Sequence, residues 1–247
     1  MLIDKMWWRF LLTAVFAYLV GNFNSAITIS KLKKKDIRNM GSGNPGTMNM
    51  SRNFGLKIGL LVFVLDVLKG VVPTLIARIA FQRTGYDFDG QPVYVFAEYF
   101  TGFFVVLGHV FPVFYKLKGG KGIASAIGVL LVCNFPLTLI LGLLALGFIF
   151  ITRMGSMGSF LATAPSAVIM SVMLYFDYYL PLSSRGVSVG YYVLANCFII
   201  AIIALTWFAH RENIKRLMFL EEHDTAWLQM IKNARFKSKL KKQKSGK

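Results

Sequence analysis

The chain has 247 residues, 55% hydrophobic and only 16% charged, and its Lys and Arg outnumber its Asp and Glu by 28 to 11. A soluble domain carries about a quarter charged residues, and here the apolar residues form a series of long blocks, so a soluble globular fold is excluded. The basic residues flank those blocks, which assigns them to membrane topology and not to a nucleic-acid surface.

A membrane span needs roughly 20 apolar residues. In chain order the blocks predict helices at residues 7–24, 56–81, 93–115, 123–133, 137–151, 156–176 and 189–209. The first lacks the charged start of a signal peptide, and it reads as a retained span. The fourth is too short to cross alone. Asn134-Phe135-Pro136 separates it from the fifth, because proline removes a backbone donor and disfavours helix at the residue before it. The result is an all-α polytopic bundle of about seven transmembrane segments. Lys31, Lys33, Lys34, Lys35, Arg38, Arg52, Lys57, Lys116, Lys118, Lys121 and Arg153 fall on one side, with the tail from Arg211 onward. The other side receives Lys5, Arg9, Arg78, Arg83 and Arg185. By the positive-inside rule the amino terminus is outside and the tail cytoplasmic, which an odd number of segments also requires. The chain divides into a transmembrane unit, residues 1–220, and a basic cytoplasmic tail, 221–247.

Cys133 and Cys197 both sit in apolar segments and read as free thiols. No ligand spacing for a metal is present, and no cofactor is expected. Within the second span, Asp66 and Lys69 share a helix face. They read either as functional intramembrane ions or as a structural pair whose charges cancel. Gly55 and Gly59 make a small-xxx-small step, read as a close helix contact.

Four unusual stretches meet on the basic side: GSGNPGTMNMSR at 41–52, GHVFPVFYKLKGGKG at 108–122, TRMGSMGS at 152–159 and HRENIKRL at 210–217. Each mixes glycine, small hydroxyls or amides, and a cation. Glycine lets backbone N–H groups approach phosphate oxygens, and Arg or Lys neutralises the charge. Any one of them alone reads as a turn or an anchor; four on one face read as a site for anionic ligands. Neither glycine loop is a Walker A, since Gly122 follows Lys121. No Gly-x-Ser-x-Gly elbow occurs, and the fifth residue after His109 is Phe114 and after His210 is Lys215, so no His-x4-Asp signature is present. His109 reads as orienting the loop that follows it, His210 as a substrate contact and His223 as surface.

The order and spacing of GSGNPG with Asn49 and Arg52, DxxKG at 66–70, GHxFPxxxxxKGGKG, TRxxSxGS and HxxNIxRL resemble the PlsY family, the bacterial acyl-phosphate:glycerol-3-phosphate acyltransferases, over residues 19–217. Thr47-Met48-Asn49 stands where that family reads Ala-Thr-Asn, and Gly21-Asn22-Phe23-Asn24 replaces its Gly-Ser-Ile-Pro. The loop at 82–91 and the tail after Glu221 are longer. The resemblance implies transfer of a fatty acyl group from acyl phosphate to the 1-hydroxyl of sn-glycerol 3-phosphate, giving lysophosphatidic acid and phosphate. The partners it implies are those two substrates and membrane lipids.

On the family's pattern Ser42, Arg52, Lys121 and His210 carry the catalytic roles. Gly41, Gly43, Asn44, Gly46, Asn49, Gly119, Gly120, Arg153, Ser156, Ser159 and Asn213 bind substrate. The hydroxyl proton has two candidate acceptors, His210 and a substrate phosphate oxygen. Acyl phosphate is already activated, so direct attack without an acyl-enzyme is expected. An organophosphate transporter would bind near the midplane, often between repeats; no repeat is evident here and the motifs lie at one face. A lipid-binding scaffold finds support only in the tail.

The tail's dense run of like charge has no apolar period. Truncation before Lys237 should therefore leave turnover in detergent nearly intact, which a steady-state assay of the shortened protein checks; loss of most activity would place the tail in the site.

Overall fold

The computed structural model describes residues 2–88, 91–152, 154–179 and 189–219. Arg153, His223 and the basic tail lie outside them. Among the described residues the chain forms ten α-helices: α1 (Leu2–Asn22), α2 (Ser25–Leu32), α3 (Thr47–Phe54), α4 (Leu56–Gln82), α5 (Val93–Val110), α6 (Ile123–Cys133), α7 (Phe135–Thr152), α8 (Gly155–Tyr179), α9 (Val189–Ala209) and α10 (Arg211–Met218). A two-residue antiparallel pairing, Asp87–Phe88 with Gln91–Pro92, closes the connection from α4 to α5. Six runs among the described residues are long and apolar enough to cross a membrane: Met6–Leu32, Leu56–Gln82, Val93–Tyr115, Phe135–Thr152, Gly155–Phe176 and Val189–Ala209. The apolar helix Ile123–Cys133 is shorter. All seven expected segments are thus helical.

Three helices escape the hydropathy pattern. The first span does not stop at Asn24 but breaks there: the Asn24 Oδ1 accepts the Ile27 N–H at 2.9 Å and starts α2. An asparagine that reads as a span end is in fact an N-cap. The helices α3 and α10 are short and polar on average, with their few apolar residues on one face.

The expected break at Asn134 is present, and its polar groups are satisfied. Asn134 donates its N–H to the Leu130 carbonyl at 2.8 Å and accepts the Leu137 N–H on Oδ1 at 3.2 Å. Thr138 Oγ1 also donates to Leu130 O, at 2.9 Å. Arg78 reaches from α4 to donate Nη1 to Val132 O at 3.0 Å, and the buried Glu98 carboxylate lies 3.2 Å from its Nε. Interrupted backbone at membrane depth is tolerated only where such partners replace the helix's own.

The most buried span is α5, which touches α1, α4, α6 and α9. Two glycine pairs set its surroundings. A Cβ on Gly21 of α1 would lie 3.0 Å from the Gly108 Cα of α5. On Gly70 of α4 it would lie 3.0 Å from the Gly128 Cα of α6, and it would also collide with the Ser125 carbonyl. Gly59 presses on α3 at Ser51 and Thr47, whereas Gly55 has nothing within 4 Å and holds φ 91° as the joint between α3 and α4. The two glycines that read as one helix contact therefore have separate tasks.

Gly70→Leu should separate α4 from α6 and cost about 3 kcal/mol or more, seen as a lower melting temperature and poorer yield in detergent. Gly142→Leu on α7, whose face is open, should leave the melting temperature unchanged.

Candidate active site

The glycine loop at 41–46 runs from a 3-10 turn, Ile37–Asn39, into α3. Gly41 and Gly43 hold φ of 56° and 70°, where a side chain would be strained. The buried amide of Asn49 shapes the turn. Its Oδ1 accepts the Ser42 N–H at 3.2 Å and the Asn53 Nδ2 at 3.0 Å, and its Nδ2 donates to the Met40 and Ile37 carbonyls at 2.8 and 3.3 Å. The sequence suggested Asn49 as a substrate contact; here both ends of its amide are engaged in holding the loop. Ser42 keeps an exposed side chain, and Asn44 and Gly46 are half-buried, the Asn44 carbonyl accepting the Gly46 N–H at 3.0 Å.

A cavity of about 360 Å³ separates this loop from the KGGKG stretch and is lined by Arg38, Asn39, Gly43, Pro45, Lys118 and Gly119. Arg38 chelates Asp36 through Nη2 at 2.6 Å and Nε at 3.0 Å. That hydrogen bond holds the Asp36 carboxyl down to about 2. The exposed Lys118 is the second cation on the wall.

Three residues further along the same loop, Lys121 enters a different cluster. Its Nζ donates to Asn213 Oδ1 at 2.5 Å, and Arg216 Nη2 donates to the same oxygen at 2.6 Å. Asn213 Nδ2 donates to the buried Ser156 Oγ at 2.5 Å. The loop before α6, the start of α8 and the first turns of α10 thereby meet around one amide. His210 is buried beside them, with its ring 5.4 Å from that of Phe160. Its Nδ1 lies 2.8 Å from the Thr206 carbonyl, which can only accept, so Nδ1 carries the proton and Nε2 is an acceptor. Burial first, then the Lys121 charge, lowers the His210 pKa to about 4, so the imidazole is neutral near pH 7.

The predicted residues thus fall into two groups joined by one loop. Gly43 and Gly119 line the cavity; Lys121, Ser156 and Asn213 form the second cluster with His210 beside it. Gly120 lies between Gly119 and Lys121. Ser159 donates its hydroxyl to the Gly155 carbonyl at 2.9 Å. Arg52 stands exposed in the last turn of α3 and makes no side-chain hydrogen bond among the described residues. Arg153 is outside them. Sequence reasoning missed Arg38, Lys118 and Arg216 as members. For Arg216 the signal was the i,i+3 spacing from Asn213, usable only once that polar stretch is known to be helical.

Comparison with known proteins decides the family. The profile of the glycerol-3-phosphate acyltransferase family matches residues 11–219. The chain belongs to this family. The glycerol-3-phosphate acyltransferase of Aquifex aeolicus is 39% identical over 213 residues, 86% of this chain and 97% of that protein. That of Mycoplasma mobile is 36% identical over 223 residues, 86% and 90% respectively. The crystal structure of PlsY, an integral membrane glycerol 3-phosphate acyltransferase, in its glycerol 3-phosphate form superposes with a TM-score of 0.73 at 36% identity, covering 90% of this chain and 98% of that one. Its lysophosphatidic acid form gives 0.71 at 35%. As in those relatives, the fold is that of a multi-pass membrane protein.

If Lys121 meets a phosphate in this partly dry cluster, Lys121→Ala should remove about 3 kcal/mol of transition-state stabilisation and slow turnover more than about a hundredfold. Lys116→Ala makes the same change in loop charge from an exposed position, and kinetics at equal membrane insertion should show it nearly silent. Equal modest losses in both variants would make Lys121 an anchor.

Proposed function

We propose that the protein transfers a fatty acyl group from acyl phosphate to the 1-hydroxyl of sn-glycerol 3-phosphate, on the cytoplasmic face, with its amino terminus outside. The observation that carries this reading is the division of cations by one short loop. Lys118 faces a cavity that also holds Arg38, and Lys121 faces Asn213, Arg216 and Ser156. Two anionic ligands would then be held on either side of Gly119 and Gly120, and both substrates of this reaction carry phosphate. The acyl chain would lie along the spans. Arg52 and Ser42, exposed at the rim, would add charge and a hydroxyl donor once substrate arrives.

The step is a single displacement. The glycerol hydroxyl oxygen bonds to the acyl carbon, the bond from that carbon to the phosphate oxygen breaks, and inorganic phosphate leaves. The hydroxyl proton goes to the departing phosphate. Bond breaking leaves negative charge on the departing phosphate and so makes it basic, whereas His210 is held to about 4, so the phosphate is the stronger base. His210 Nε2 then acts as a hydrogen-bond acceptor that orients the hydroxyl. Ser42 is not the nucleophile: neither described histidine contacts it, and an acyl phosphate needs no covalent relay.

Purified protein given acyl phosphate and glycerol 3-phosphate should form lysophosphatidic acid and phosphate in equal amounts, and acyl-CoA should not replace the donor. Ser42→Ala should lose one charge-assisted hydrogen bond, about 1.5–3 kcal/mol or a ten- to hundredfold fall in rate. Acyl phosphate alone should give neither a phosphate burst nor acylated protein by mass spectrometry. A trapped acyl-serine, or product formed from acyl-CoA in preference, would contradict the reading.

A further inference from the structure

Asp66, Lys69 and His109 lie inside spans, where ionisable groups are costly unless paired. All three are buried, at 3%, 6% and 4% exposure. Lys69 Nζ lies 2.8 Å from the Phe23 carbonyl at the α1–α2 break, 2.6 Å from His109 Nδ1 and 3.3 Å from Asp66 Oδ1. Its three protons thus have three partners. Asp66 Oδ1 also accepts the Ser25 hydroxyl at 2.8 Å. The ammonium has no donor left for a ligand, so its task must be sought in what it holds.

It holds a histidine. An ammonium cannot accept a hydrogen bond, so Lys69 donates to Nδ1 and the ring proton of His109 sits on Nε2. The tautomer and the ring plane are both set from α4. The opposite edge of the ring is the wall for Gly120, where a Cβ would collide with Nε2. The main chain at the same turn is a second tie. The His109 carbonyl accepts the Gly120 N–H at 3.1 Å, the Val110 carbonyl accepts the Gly119 N–H at 3.2 Å, and a Cβ on Gly119 would strike the His109 carbonyl. Both glycines that precede Lys121 are therefore seated on His109.

We infer that Asp66 and Lys69 are positioning residues for acyl transfer: by locking the His109 ring they seat Gly119 and Gly120, and so aim Lys121 at Asn213 and the substrate phosphate. This inference rests on the proposed role of Lys121. An ion pair that merely cancelled its own charge would stabilise the bundle without acting through that lysine, and the two roles separate in a double-mutant cycle.

Full-length His109→Gln, Gly120→Ala and the double variant Asp66→Asn/Lys69→Met are each assayed with and without Lys121→Ala. In the parent background each should lower kcat by about ten- to a hundredfold, the usual cost of misplacing a catalytic group by about an ångström. In the Lys121→Ala background the same changes should alter the residual rate by less than about twofold, because the group being aimed is gone. Nitrogen-15 histidine NMR supplies a readout that a structural role would not move: withdrawal of the Lys121 charge in His109→Gln should raise the His210 pKa towards its ordinary value. Should the double variant fail to insert, Gly120→Ala presses on the ring from the loop side and tests the same linkage. Rate losses that multiply in both backgrounds, an unmoved His210 titration, or a Gly120→Ala enzyme with full turnover would overturn the inference. A silent Lys121→Ala would instead remove the reading on which it rests.

Discussion

The amide of Asn213 takes two cations on one oxygen, Lys121 at 2.5 Å and Arg216 at 2.6 Å, and gives its Nδ2 proton to Ser156. A neutral acceptor compensates two positive charges only in part. At these half-buried positions the remaining field is screened less than the same charges would be on an open surface. Burial, seconded by the Lys121 charge, keeps His210 neutral, with Nε2 as its accepting edge. Three segments distant in sequence must converge for this to happen, and the helices are arranged so that they do.

That convergence is a problem of polar chain inside an apolar bundle. The protein meets it at two breaks. At Asn24 the side chain restarts the helix and the freed Phe23 carbonyl receives Lys69. At Asn134 the loose carbonyls of α6 receive Thr138 and Arg78, and Glu98 compensates Arg78. Each break employs a cation as a backbone partner, the buried Lys69 at the first and the half-exposed Arg78 at the second, with a buried carboxyl group beside it. Close glycine contacts then bring α4, α5 and α6 near enough for Lys69 to reach His109 and for the KGGKG loop to rest on it.

The spans are legible in the sequence because a run of about 20 apolar residues matches the thickness of a bilayer's hydrocarbon core. The break at Asn134-Phe135-Pro136 is legible because proline resists the helix interior, yet the helix resumes at Phe135, with Asn134 as its cap and Pro136 in its first turn. The short helices stay hidden for different reasons: α2 merges with the apolar run of α1, whereas α3 and α10 are too polar for a hydropathy pattern to register. Glycine-rich loops with nearby cations announce an anion site, yet side-chain type alone does not separate the amide that frames a loop, Asn49, from the amide that gathers cations, Asn213. The link from Lys69 to His109 joins positions forty residues apart, and nothing local to either position encodes it. Arg216 was hidden for the same reason as its helix.

The central claim of the proposed function is that Lys121 meets a substrate phosphate in the Asn213 cluster. Solid-state NMR dipolar recoupling between nitrogen-15 in lysine side chains and the phosphorus of bound glycerol 3-phosphate, or of a non-reactive acyl phosphonate in its place, measures that contact directly. The account predicts a short lysine–phosphorus contact in the parent protein that disappears in Lys121→Ala. A contact that persists in that variant, or bound substrate with no lysine near its phosphorus, would contradict it.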